Sequence, residues 1–126
     1  GTLHKVTGRM NSMMAGLCCG EPCTISWDII NDFANSFIAC SDDYAAHGMR
    51  LLGMQQSGDA RIVSGESGAV TAGVLAALMQ DPELAQLRNE LGLDENSRVL
   101  LISTEGATDK VNYLKVLSGK WKPENK

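Results

Sequence analysis

Apolar residues along the chain keep two rhythms, one of three to four residues and one of short unbroken runs. Their alternation is that of an α/β domain. Ser26 stands as cap to a helix over 27–34, with Trp27, Ile30 and Phe33 on one side and Asp28 near the positive end, so that side is expected to be core. Residues 36–40 form a short apolar run that predicts a strand. Ser41, Asp42 and Asp43 then supply a cap and first-turn acids for a helix over 42–52, where Tyr44, Gly48, Leu51 and Leu52 recur at helical spacing and Gly53 is the stop. The polar stretch 55–60 is the clearest loop. From Ser67 to Met79, Val70, Val74, Leu75 and Leu78 repeat at helical spacing among small residues that suit close packing on a sheet. Asp81-Pro82 breaks that helix. Pro82 fits the first turn of the next, with Leu84, Leu87 and Leu91 as buried stripe and Gly92 as end. Thr108 or Asp109 caps a last helix carrying Val111, Leu114 and Leu117, and the charged tail 120–126 is expected to be mobile.

Two segments share one design. Arg61-Ile62-Val63-Ser64-Gly65-Glu66-Ser67-Gly68-Ala69 and Val99-Leu100-Leu101-Ile102-Ser103-Thr104-Glu105-Gly106 each run apolar and stop at a hydroxyl, an acid and a glycine. Buried strands of a parallel sheet have such apolar runs, and their ends carry the ligand crevice. If the two lie side by side, Ser64, Glu66, Ser67, Ser103, Thr104 and Glu105 face one pocket. Glycines in the 65–68 turn permit close backbone approach, and the helix after it offers unpaired N–H groups to a phosphate or carboxylate. The plainer alternative is that any strand-to-helix turn needs glycine and a hydroxyl.

Composition narrows the function. With 126 residues, 44% hydrophobic and 21% charged, the chain suits one globular domain rather than a disordered segment. A net charge of −4 and scattered Lys and Arg give no support to nucleic-acid binding. No apolar run is long enough to span a membrane, and no secretory leader pattern opens the chain, so a cytoplasmic location is expected. Cys18, Cys19 and Cys23 cluster and Cys40 stands apart. Structural zinc sites pair two close clusters, so no metal site is assigned and the thiols read as small packed residues, with a Cys19–Cys40 redox pair left to geometry. His47 stands in no catalytic constellation and reads as an exposed or packed residue.

Taken in order, Met14-Ala15-Gly16-Leu17-Cys18-Cys19-Gly20-Glu21-Pro22, Ser64-Gly65-Glu66-Ser67-Gly68-Ala69 and Ile102-Ser103-Thr104-Glu105-Gly106 resemble the C-terminal part of the diaminopropionate ammonia-lyase family, pyridoxal-phosphate enzymes related to the threonine and serine dehydratases. The resemblance runs from about Met10 to about Leu117. It implies a three-layer α/β fold, a mostly parallel sheet flanked by helices, as part of a fold type II (tryptophan synthase β-like) enzyme. It also implies that Ser64, Gly65 and Glu66 line the cofactor cleft, with Glu66 the carboxylate beside the ring, and that Ser103 or Thr104 faces the pyridine nitrogen. A hydroxyl there leaves the ring a milder electron sink than an Asp would, which suits β-elimination. Glu105 and Asp109 are further acids beside the second cluster, where an acid would suit a cationic amino group of a diamino-acid substrate, with helix capping by Asp109 the competing role.

The family's Schiff-base lysine and glycine-rich phosphate loop lie upstream of the matching region. No lysine here has the surroundings of that residue: Lys5 precedes the match, and Lys110, Lys115, Lys120, Lys122 and Lys126 fall on or after the last helix. The resemblance therefore implies a single domain, residues 1–126, that is the C-terminal portion of a longer lyase. It has no catalytic residue of its own, is inactive alone, needs the N-terminal half and an amino-acid substrate, and is compatible with a homodimer. The whole enzyme would eliminate ammonia from 2,3-diaminopropionate to give pyruvate. A serine or threonine dehydratase is the alternative within the class, and a non-catalytic anion- or small-molecule-binding domain the alternative outside it. A large exposed apolar face would favour the severed enzyme over the independent module.

Overall fold

A computed structural model of the chain describes residues 4–54 and 58–123. Five α-helices follow one another: α1 Thr24–Phe33, α2 Asp42–Gly53, α3 Glu66–Gln80, α4 Ala85–Glu90 and α5 Lys110–Leu117, with short 3-10 turns at Ala15–Leu17 and Pro82–Leu84. No strand forms among the described residues, and so the mostly parallel sheet expected from the sequence is not present within them.

A strand exists only where a neighbour completes its hydrogen bonds. The segments 36–40, 61–65 and 99–105 run without helix or ladder, and their cross-chain backbone ties are few: Ile62 N–H donates to Leu52 C=O at 2.9 Å and Gly65 N–H to Glu105 C=O at 3.0 Å. Their apolar side chains stand in the open, Phe37 at 77% and Leu100 at 85% exposure, with Ile38, Ile62, Val63, Val99 and Ile102 also exposed. In all the chain exposes 9534 Å², where a compact monomer of 13.5 kDa exposes about 6,500 Å². The excess accompanies the apolar side chains left in the open along these segments.

The core lies where α2, α3 and α5 meet. Ala46 and Met49 of α2, Ala69 of α3 and Tyr113 and Val116 of α5 form one buried cluster, with Leu52, Leu117 and Trp121 packed against it. Met14, Ala45 and Val70 form a second. Helices α2 and α3 cross with their backbones in contact. A Cβ on Gly48 would strike the Ala69 carbonyl, and one on Gly73 the Tyr44 carbonyl. The small residues of α3 thus serve a helix-on-helix contact instead of the expected sheet.

Local signals set the helix ends. Asp81 accepts from the Glu83 N–H at 2.9 Å with Pro82 in the first turn, and Asp109 accepts from the Asn112 N–H at 2.9 Å. Gly92 and Gly119, at φ 68° and 71°, end α4 and α5.

Several expected faces are corrected. Helix α1 starts at Thr24, its cap position is Cys23, and Ser26 lies inside the first turn, its hydroxyl donating to Cys23 C=O at 3.4 Å. Its apolar side is not core: Trp27, Ile30 and Phe33 are exposed. In α2 the buried side is Ala45, Ala46, Gly48 and Met49, while Tyr44, Leu51 and Leu52 are half-buried. In α5 the core residues are Tyr113 and Val116, and Val111 and Leu114 face solvent. Leu87 in α4 is exposed and Leu84 and Leu91 are half-buried. Of the tail, Trp121 packs on the main cluster; 124–126 and most of the loop placed at 55–60 lie outside the described residues. No helix among the described residues is long and apolar enough to cross a membrane.

Candidate functional site

The two signature segments do lie side by side. The Ser64 and Ser103 hydroxyls meet at 2.8 Å, and the Ser103 hydroxyl also donates to the Glu105 carbonyl at 3.3 Å. Ser64 is fully buried beneath the start of α3, whereas Ser103 and Thr104 are exposed. Gly68 makes this juxtaposition possible: a Cβ there would sit 2.7 Å from Ser64 Oγ, 3.0 Å from Ser103 Oγ and 3.0 Å from the Thr104 nitrogen. Gly65 does the same one turn earlier, its missing Cβ leaving room for the Gly106 carbonyl and for Glu105 Cγ at 2.9 Å.

The N-terminus of α3 is already taken. Glu105 Oε1 accepts from the Ser67 N–H at 2.6 Å, and Gly65 N–H donates to the Glu105 carbonyl at 3.0 Å. An internal carboxylate therefore satisfies the positive helix end that the sequence offered to an external phosphate. The Ser67 hydroxyl, buried and without a partner among the described residues, lies beside Gly16, at which a Cβ would come within 3.2 Å of it.

Beside this junction opens a cleft of ≈ 630 Å³. Asp42 and Asp43 of α2, Glu66 of α3, Glu105, and Asp109 and Asn112 at the start of α5 line it, with no Lys, Arg or His among the described lining residues. Glu66 is 7% exposed, and its Oε1 accepts from the Asn112 side-chain amide at 2.7 Å. Asp42 accepts from the Ser12 hydroxyl at 2.5 Å and from the Met13 N–H at 3.0 Å, which draws the 12–16 segment onto the cleft wall. Of the six residues expected around one pocket, Glu66 and Glu105 line this cleft. Ser64 lies behind it, and Ser67, Ser103 and Thr104 are not on its wall. Asp109 acts as a helix cap, and Glu105 as a cap for α3.

The sequence gives Asp42 only as a first-turn acid of α2, and Asn112 no role. Asp109-Lys110-Val111-Asn112 has the spacing of a cap and its third helical residue, which forecasts the backbone bond but not a side chain aimed 46 positions back at Glu66.

All four cysteines are free, so Cys19 and Cys40 are not paired, and no group of three metal ligands occurs among the described residues. The exposed Cys23 thiol is drawn below its ordinary value by hydrogen bonds from the Ser26 hydroxyl and from the Ser26 and Ile25 N–H groups, whereas burial and then the charge of Asp42 push Cys40 up. The thiolate is the reactive form. Near neutral pH, iodoacetamide should therefore modify Cys23 well before Cys40; peptide mapping that finds Cys40 modified as fast would contradict this ordering.

No family model matches the chain. Over 117 residues, 93% of its length, it is 48% identical to the diaminopropionate ammonia-lyase of Escherichia coli (strain K12), of which it spans 29%. The enzyme of that name from Salmonella typhimurium (strain LT2) is 50% identical over 114 residues, covering 90% of this chain and 28% of the relative. A crystal structure of the Escherichia coli enzyme in complex with an aminoacrylate-PLP azomethine reaction intermediate superposes with a TM-score of 0.81 at 49% identity, over 86% of this chain and 29% of that one. The match falls in the C-terminal part of these enzymes, and the chain spans less than a third of their length.

Proposed function

We propose that this chain, homologous over most of its length to the C-terminal part of diaminopropionate ammonia-lyase, is the C-terminal portion of a pyridoxal-phosphate-dependent lyase that eliminates ammonia from 2,3-diaminopropionate. The observation that carries this is the junction of Ser64-Gly65-Glu66 with Ser103-Thr104, brought together across 39 positions and kept open by Gly68.

The residues present fit the ring side of such a cofactor and not its phosphate. Hydroxyls of Ser103 and Thr104 at an exposed segment end supply neutral donors, and the buried Glu66 carboxylate supplies an acceptor. The helix end that would suit a phosphate is closed by Glu105. Pyridoxal phosphate, when bound, supplies the electron sink for charge developing at a substrate Cα. Ser103 or Thr104 would hold the ring nitrogen through a hydroxyl, adding no negative charge there, and Ser64 holds Ser103 in turn. Glu66, fixed by Asn112, would stand beside the ring. Carboxylates of the cleft favour a cationic substrate such as a diamino acid.

The extended segments 36–40, 61–65 and 99–105 are proposed to become neighbouring strands of a parallel sheet when the rest of a polypeptide about three times as long covers their exposed side chains. The base and the phosphate loop belong to that remainder. A homodimer and a cytoplasmic location accord with the composition and the exposed apolar surface.

The test compares this chain with the polypeptide extended upstream to include the lysine. Each is mixed with pyridoxal phosphate, and cofactor absorbance is followed through gel filtration. Cofactor retention and pyruvate release from 2,3-diaminopropionate by the longer polypeptide alone are expected. Tight phosphate binding by the short chain, with no elimination by the long one, would replace the lyase with a binding module.

A further inference from the structure

Among the described residues, Asn112 is the neutral side chain with a hydrogen-bond hold on the buried carboxylate of the cleft. Its Nδ2 donates to Glu66 Oε1 at 2.7 Å, while its own backbone N–H is held by Asp109 at 2.9 Å. The next residue, Tyr113, is buried in the α2–α3–α5 cluster with Val116. Helix α5 is therefore fixed on both sides of Asn112, by a cap before it and by core packing after it. The charged groups facing Glu66 across the cleft are all acidic: Asp42 and Asp43 on α2, Asp109 at the start of α5, and Glu105 on the segment beside α3. A basic partner would bind Glu66 more strongly but would cancel its charge. An amide orients the carboxylate and leaves the charge in place, and it has no proton to lose over the working pH range.

We propose that Asn112 is a positioning residue for the elimination reaction, holding the Glu66 carboxylate in its orientation toward the cofactor from the first turn of α5. This rests on the lyase function proposed above. Asn112 need not touch the cofactor or substrate; it acts through Glu66.

A purely structural role makes a different forecast. Residue 112 is the third residue of α5, where an acid is favoured by the positive helix end. Asn112→Asp should then be harmless to a helix that merely needs starting. For positioning it is harmful in a pH-dependent way, because the introduced carboxylate faces Glu66 at hydrogen-bond distance. Protonated, it can still donate as the amide did. Ionised, it repels Glu66.

The experiment uses the full-length enzyme with its cofactor, and the variants Asn112→Asp, Asn112→Leu and Asn112→Gln. Elimination of 2,3-diaminopropionate is measured as kcat and KM from about pH 6 to about pH 9, with the absorbance of the bound cofactor and the melting temperature at each point. Asn112→Leu is expected to lower kcat/KM about tenfold at every pH, as loss of one orienting hydrogen bond to a charged group would. Asn112→Asp should stay within about threefold of the parent at the acid end and fall about thirtyfold or more below it at the alkaline end, its melting temperature falling relative to the parent in the same direction. Asn112→Gln should recover part of the loss. Variants that match the parent, or an Asn112→Asp deficit that is flat with pH, overturn the positioning role and leave the lyase standing. A parent enzyme that holds cofactor but eliminates nothing overturns the lyase, and the positioning role with it.

Discussion

Gly73→Ala is expected to destabilise the full-length polypeptide by about 3 kcal/mol or more, read from the urea midpoint, although a glycine-to-alanine change inside an exposed helix normally stabilises by up to about 1 kcal/mol. The sign is the informative part. At Gly73 an added Cβ meets the Tyr44 carbonyl, with Gly48 N and Tyr44 C each at 2.9 Å. These are backbone atoms of the facing helix and cannot rotate away as a side chain would, so the two helices must separate. Separation loosens Ala45, Ala46 and Met49 from Ala69 and Val70, the seam on which both buried clusters depend. Gly48→Ala strikes the same crossing from the other side, meeting the Ala69 carbonyl. The two effects should accordingly fall short of additive when combined, since the first substitution has already opened the contact. A stabilising Gly73→Ala would mean that α2 and α3 do not touch in the folded protein.

That crossing also marks the limit of what the sequence discloses. Where a feature is decided by residues within a turn of one another, it was legible. The extents of α2 and α3, the break at Asp81 with Pro82 in a first turn, a cap at Thr108 or Asp109 and the glycine end at Gly92 all follow from local chemistry. Pairing of the Ser64 and Ser103 segments was legible for another reason: both carry the same run of apolar, hydroxyl, acid and glycine. Choice of buried face was not. Helix α5 has apolar residues on two sides, and the period alone cannot tell Tyr113 and Val116 from Val111 and Leu114; the larger Tyr113 side chain went into the core. Helix α1 has a clean apolar side that stays exposed. The segments read as strands carry the right residues, yet a strand is a property of a pair, and the described residues form no such pair. In the site, the turn at 65–68 pointed to an anion at the helix end, and Glu66 was singled out by the resemblance. The carboxylate that closes the helix end comes from Glu105, 38 positions away, and the amide on Glu66 comes from Asn112, 46 positions away. Long-range side-chain bonds of this kind leave no periodic trace.

Gly68→Ala should separate activity from stability in the full-length enzyme, lowering kcat/KM on the order of 100-fold at a stability cost of about 1–3 kcal/mol. Its Cβ would meet two hydroxyls and a backbone nitrogen: Ser64 Oγ at 2.7 Å, Ser103 Oγ at 3.0 Å and Thr104 N at 3.0 Å. The Ser64 hydroxyl is fully buried and bonded to Ser103, so it has little freedom to move. Ser103 and Thr104 are exposed in this chain, and theirs is the segment that yields. A shift of a few tenths of an ångström there is the least costly way to make room for the added Cβ. It costs much in chemistry, because the hydroxyl proposed to face the ring nitrogen no longer meets it, and orientation of a reacting group is worth orders of magnitude. Bound-cofactor absorbance should shift in the same variant, while the urea midpoint falls by no more than that stability cost of about 1–3 kcal/mol corresponds to. Were Gly68→Ala to keep both kcat/KM and the cofactor spectrum of the parent, Ser103 and Thr104 would not face the ring. The carboxylate side of the junction, Glu66 with Asn112, would then be left as this chain's contribution to the site.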